Sequence, residues 1–173
     1  MAVYFQSWSS AWTDKELDLV SIDPRIKVVY LAFAKPDLTY SFRSLEGTGL
    51  SFSSSFDIVQ KAIWILKERG VTVMLSVGGA TYPFPKNFDP WPSIKLCWDL
   101  GCHGIDIDWE FESGGTQQEF ANIVAAYRYA WPEGKFSAAV WSTGAFEPVQ
   151  GDQYRGINLK GLDKLNWINI MVF

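Results

Sequence analysis

One histidine and two cysteines in 173 residues remove several chemistries at once. A Ser-His-Asp site or a histidine-based metal site would have to be built around a single imidazole, His103, which makes both improbable. Cys97 and Cys102 stand five apart with no second pair, which argues against a zinc site. They read as buried thiols, with a local disulfide left open. Basic residues are neither abundant nor clustered: 15 Lys and Arg face 19 Asp and Glu, for a net charge of −4, so no nucleic-acid partner is expected. No apolar run approaches the ~20 residues that cross a bilayer, so no membrane partner is expected either. The opening MAVYFQSW enters strand-like sequence directly, without the basic segment, apolar stretch and cleavage site of a secretory signal. This reads as a cytosolic protein, or a secreted one whose signal was replaced by an initiator Met. No cofactor and no metal are expected.

Aromatic side chains are abundant instead: nine Trp, seven Tyr and twelve Phe. Most of them should be core, and an excess of Trp also suits stacking against sugar rings. A 48% hydrophobic content over this length fits one globular domain, taken here as residues 1–173. Strand-like runs occur at 2–7 (AVYFQS), 27–34 (KVVYLAFA), 71–77 (VTVMLSV), 104–109 (GIDIDW), 136–141 (FSAAVW) and 167–173 (WINIMVF). Helical segments fall between them. Thr13 and Glu16 form a capping box, as do Thr116 and Glu119. The amphipathic FDIVQKAIWILKERG ends at Gly70, where a C-cap belongs. Prolines 83, 85, 90 and 92 mark a loop ahead of a short helix at 93–100, and another short helix is expected at 159–164.

Continuously apolar strands alternating with helices imply a parallel α/β sheet covered by helices. The candidates are a doubly wound open sheet and a (β/α)8 barrel. No glycine-rich phosphate loop follows the first strand, which weakens the first. Six strands are two short of a closed barrel, and the last residue falls inside a strand, so the chain reads as a fragment.

The segment HGIDIDWEF places Asp106, Asp108 and Glu110 at every second position. They therefore share one face of a strand, opposite Ile105, Ile107 and Trp109. In a parallel barrel the acids would point inward and climb toward the C-terminal rim, where such folds build active sites. Three like charges this close cannot all ionise at neutral pH, so the group should hold at least one shared proton. Buried salt bridges and helix capping fit less well, because inward-facing basic partners are scarce. A metal cluster fits poorly too, since one strand would have to supply every ligand.

GIDIDWE resembles the signature of glycoside hydrolase family 18, the chitinases and their lectin-like relatives. VYFQSW, VYLAFA, SVGG (Ser76 to Gly79) and WINIMVF resemble, in order, that family's first, second, third and sixth strands. The resemblance implies a (β/α)8 barrel of which about the first six βα units are present. It implies retaining hydrolysis of β-1,4-linked N-acetylglucosamine polymers, endo-acting, in which the substrate's own 2-acetamido group assists. By the same resemblance Glu110 is the general acid/base, Asp108 orients the acetamido group, and Asp106 shares a proton with Asp108. Tyr4, Phe33, Ala139 and Met171 match positions that floor the sugar site, with Gly78 and Gly79 keeping its rim open. Trp8, Trp141 and Tyr82 stand where sugar platforms would. The implied partners are chitin or N-acetylglucosamine oligosaccharides, together with a C-terminal barrel segment or a second copy. The resemblance favours a secreted protein.

Two residues depart from the family pattern. His103 replaces the first Asp of the motif, and its odd spacing from Asp106 points to a role in shaping the start of the strand rather than in chemistry. Phe173 replaces a Tyr whose hydroxyl would hold the acetamido carbonyl. A glycan-binding protein without activity, and a fragment that does not fold alone, are the competing readings.

Overall fold

The computed structural model describes residues 1–8, 18–110, 117–142 and 159–171. Six strands, β1 (Ala2–Gln6), β2 (Val28–Ala34), β3 (Thr72–Gly78), β4 (Gly104–Asp108), β5 (Lys135–Trp141) and β6 (Trp167–Met171), form one sheet in sequence order. Every neighbouring pair is parallel. Helices α1 (Phe56–Glu68), α2 (Trp91–Leu100) and α3 (Gln117–Ala130) follow β2, β3 and β4. This is a half-barrel of parallel strands with helices between them.

Alternation along the strands divides the buried residues into two groups. Val29, Leu31, Val73, Leu75, Val77, Ile105, Ile107, Phe136 and Val140 point outward, and pack with Ile63, Leu66, Leu96, Phe120 and Val124 of the helices in one hydrophobic core. Tyr30, Met74, Asp106, Asp108, Ser76, Ser137 and Ala139 are also buried but lie outside that cluster, on the inner face.

The helix ends follow local chemistry. Gly70, at φ +75°, closes α1 while the N–H of Val71 returns to the carbonyl of Leu66. Helix α2 starts at Trp91, two residues earlier than the prolines suggest, with Pro90 at its N-cap position and Asp89 Oδ1 accepting the N–H of Trp91 at 3.0 Å in the turn that leads into it. Pro92 sits in the first turn, where a helix has no use for its missing N–H. The segment before β2 contributes a 3-10 turn at Asp18–Ser21, and the helix expected at 159–164 narrows to a 3-10 turn at Leu162–Lys164. Capping residues Thr13, Glu16 and Thr116 lie outside the described residues. Cys97 and Cys102 are buried free thiols, with Cys97 Sγ 3.3 Å from the carbonyl of Gly104.

Candidate active site

The inner face of β4 carries Asp106 and Asp108, both essentially inaccessible, and the chain just past the strand carries half-buried Glu110. Sheet register sets what meets them. Ser76, Asp106 and Ser137 stand side by side across β3, β4 and β5, as do Gly78, Asp108 and Ala139 one step nearer the rim.

Asp106 is held by four donors. Oδ2 accepts from Tyr4 Oη at 2.9 Å and Ser76 Oγ at 2.8 Å; Oδ1 accepts from Ser137 Oγ at 2.6 Å and Asn169 Nδ2 at 3.1 Å. Burial raises its pKa, and these four hydrogen bonds oppose that rise. Asp108 is placed differently. Burial first, then the negative charges of Asp106 and Glu110 and a hydrogen bond to Glu110, push its pKa up to about 9. Its Oδ1 is buried and takes no hydrogen bond. The acidic face therefore holds a proton at neutral pH, as the like-charge argument requires. Asp108 bonds Glu110, while hydroxyls and one amide occupy Asp106.

Glu110 opens into a cleft of about 360 Å³ lined also by Trp8, Phe33, Gly49, Ser51, Gly78, Ala80, Thr81 and Tyr82. Phe33 lies 6.0 Å between ring centroids from Trp8 and from Tyr4. Trp8 is half-exposed. The two glycines are required by close approach. A Cβ on Gly78 would meet the carbonyl oxygen of Asp108 at 2.3 Å, and one on Gly79 would meet the Phe33 ring at 3.2 Å. Both have positive φ, and the N–H of Gly79 bonds the Asp108 carbonyl at 3.0 Å. Larger residues would separate β3 from β4 just where Asp108 and Glu110 emerge.

The structure thus gathers Phe33, Gly78 and Glu110, with Trp8 and Tyr82, around one cleft, and sets Tyr4 beneath it on Asp106. Gly79 supports Phe33 from behind. Trp141 and Met171 are register partners, both half-buried, on β5 and β6, away from that lining. Phe173 lies outside the described residues. Ser76, Ser137 and Asn169 were not assigned roles from the sequence. Their signal was parity: each occupies an inward position on its own strand, but only the pairing register brings them to Asp106.

His103 takes the position of the missing first acid in a specific way. Its N–H bonds the Val73 carbonyl at 2.7 Å, and its Nδ1 accepts the Val73 N–H at 3.0 Å. The ring completes the β3–β4 ladder where β4 has not yet begun. Among the described residues no cluster of three or more His, Cys, Asp or Glu side chains is placed to hold a metal ion.

The family model for glycosyl hydrolases family 18 matches residues 1–173. A chitinase of Plasmodium falciparum is 32% identical over 120 residues, which cover 61% of this chain and 32% of the relative. Among solved structures, a chitinase from Aspergillus fumigatus superposes with a TM-score of 0.69 at 17% identity, covering 98% of this chain and 65% of that one. YKL-39, solved in the presence of chitooligosaccharides, superposes with a TM-score of 0.67 at 14% identity over 99% of this chain and 50% of that one. The chain therefore spans about one third of the curated relative and between half and two thirds of these solved chains.

Proposed function

The chain belongs to glycosyl hydrolase family 18, and from that premise we propose that it is the part of a chitinase-type hydrolase that carries the acid/base machinery. Residues 1–173 would form part of one catalytic domain rather than a unit with a separate role. The substrate is a β-1,4-linked N-acetylglucosamine polymer or oligomer. Hydrolysis is retaining and assisted by the substrate's acetamido group.

The observation that carries this reading is buried Asp108 bonded to Glu110 where Glu110 lines an aromatic cleft. Glu110 donates its proton to the glycosidic oxygen as the C1–O bond breaks, and the acetamido oxygen closes on C1 to form a cyclic oxazolinium ion. The Asp108 Oδ1, buried without a partner, supplies an acceptor that an acetamido N–H would satisfy, orienting the nucleophilic oxygen. Water then adds at C1, giving its proton to Glu110. Phe33, Trp8 and Tyr82 supply apolar surface for the sugar faces, and Tyr4 acts from below through Asp106. Trp141, Met171 and Phe173 are proposed to reach substrate farther along the rim. The action is proposed to be endo.

The test is Glu110→Gln with a chitooligosaccharide carrying a fluorogenic leaving group. Hydrolysis should fall at least ~10²-fold, the lower end of what a positioned acid contributes, while binding measured by calorimetry persists. Binding without turnover by the unmodified protein, unchanged by Glu110→Gln, would instead identify a glycan-binding protein.

A further inference from the structure

The four donors on Asp106 are not equivalent. Tyr4, Ser76 and Ser137 offer hydroxyls, which can turn and accept a hydrogen bond instead. Asn169 offers an amide nitrogen, which can only donate. Its orientation is fixed from the far side of the inner face. Trp167 Nε1 donates to the Tyr30 hydroxyl at 2.7 Å, and an indole N–H has no acceptor form. The Tyr30 hydroxyl also meets Ser137, whose own hydrogen goes to Asp106 Oδ1, and the Tyr30 hydrogen takes Asn169 Oδ1, 2.8 Å away. That leaves Asn169 Nδ2 facing Asp106 Oδ1 at 3.1 Å and the Tyr4 hydroxyl at 3.3 Å. Flipping the amide would set its nitrogen against the Tyr30 hydrogen and its oxygen against the carboxylate, which is unfavourable on both sides.

The geometry points to Asn169 as a positioning residue that keeps Asp106 anionic, so that the proton of the aspartate pair resides on Asp108. A proton on Asp106 Oδ1 would confront an N–H that cannot reverse. The remaining groups facing Asp106 agree with this. Tyr4 on β1 and Tyr30 on β2 have raised pKa values through burial and remain neutral donors. Asp108 and Glu110 are the facing acids on the β4 side, and Ser76, Ser137 and Trp167 do not titrate. Among the described residues no Lys, Arg or His forms a salt bridge with Asp106. One amide dipole of fixed direction and three hydroxyls take the place of a cation.

The placement of the proton is independent of the proposed reaction, whereas its consequence for turnover rests on it. Carbon-13 NMR of protein labelled at the Asp side-chain carboxyls reads the placement directly. At pH 7 the unmodified protein should show Asp106 as carboxylate and Asp108 as acid. In Asn169→Leu the Asp106 midpoint should rise by about one pH unit, the equivalent of one net hydrogen bond to a charged group. Trp167→Phe keeps all four donors but releases the amide's orientation, and should raise the same midpoint by less; it preserves the test if Asn169→Leu does not fold. An acid signal from Asp106 in the unmodified protein, or an unmoved midpoint in the folded variants, overturns the inference. With chitooligosaccharide as substrate, the acidic limb of kcat/KM should move up with the midpoint. The NMR pattern without any turnover would uphold the inference and defeat the proposed function.

Discussion

Burial of Asp108 beside Asp106 and Glu110 means that the folded chain holds a proton which the unfolded chain releases near its ordinary value of about 4. With the folded pKa near 9, this group's stability contribution is complete below pH 4 and is lost progressively as pH rises toward 9. Asp108→Asn removes that loss. It should stabilise the protein at pH 7 by about 2–4 kcal/mol, with the gain vanishing near pH 4. Urea denaturation at both pH values checks this; an equal gain at each would mean the cause is not the buried charge. The same variant should be impaired in turnover, since an amide replaces the carboxyl proposed to orient the substrate's acetamido group. Two-residue spacing is enough to place the acids on one face, and the like-charge argument is enough to expect a retained proton. Which acid keeps it was not legible, because the deciding donors come from four other strands.

At the scale of elements, strand and helix order was plain in the sequence because apolar runs and caps are local signals. Boundaries moved where the local turn differed from the pattern, as at α2, which starts at Trp91 behind an Asp89 turn rather than after Pro92. The β3–β4 junction depends on His103 in a way its spacing only hinted at. Its imidazole accepts a buried backbone N–H, so it must be neutral at Nδ1. Burial first, then Lys67 and Lys135, lowers its pKa below the usual 6.5. A depressed histidine contributes its full stability above about pH 6.5, and loses it as pH falls through the lower folded value. His103→Ala should therefore cost about 1–2 kcal/mol at pH 7.5, for an unsatisfied buried donor, and less at pH 5. His103→Asp restores an acceptor beside two lysines and should hold stability nearly constant over that interval. Thermal melts of the three proteins at both pH values distinguish these outcomes, and a pH-independent cost for His103→Ala would exclude the imidazole as the titrating group.

For the molecule as a whole, the six-stranded sheet curls until side chains of its first and last strands meet. Tyr4 on β1 and Tyr30 on β2 both bond Asn169 on β6, and Trp167 on β6 bonds Tyr30. These contacts join residues 137 to 165 positions apart, which no local pattern encodes. They lie inside the sheet rather than along its ladder, where Asn169 also bonds Asp106, and are expected to set its curvature. Tyr30 accepts from one partner and donates to the other, so the links form a chain and should not contribute independently. Tyr30→Phe strands both the Trp167 indole N–H and the Asn169 Oδ1, and should cost about 2 kcal/mol; Trp167→Phe removes one donor and should cost about 1 kcal/mol. The double variant should cost clearly less than the sum, since each change leaves the other partner already unpaired. A double-mutant cycle from urea melts measures the difference directly. Strict additivity would mean that the two bonds act separately, and that curvature is set by the outward-facing core of β-strands and helices instead.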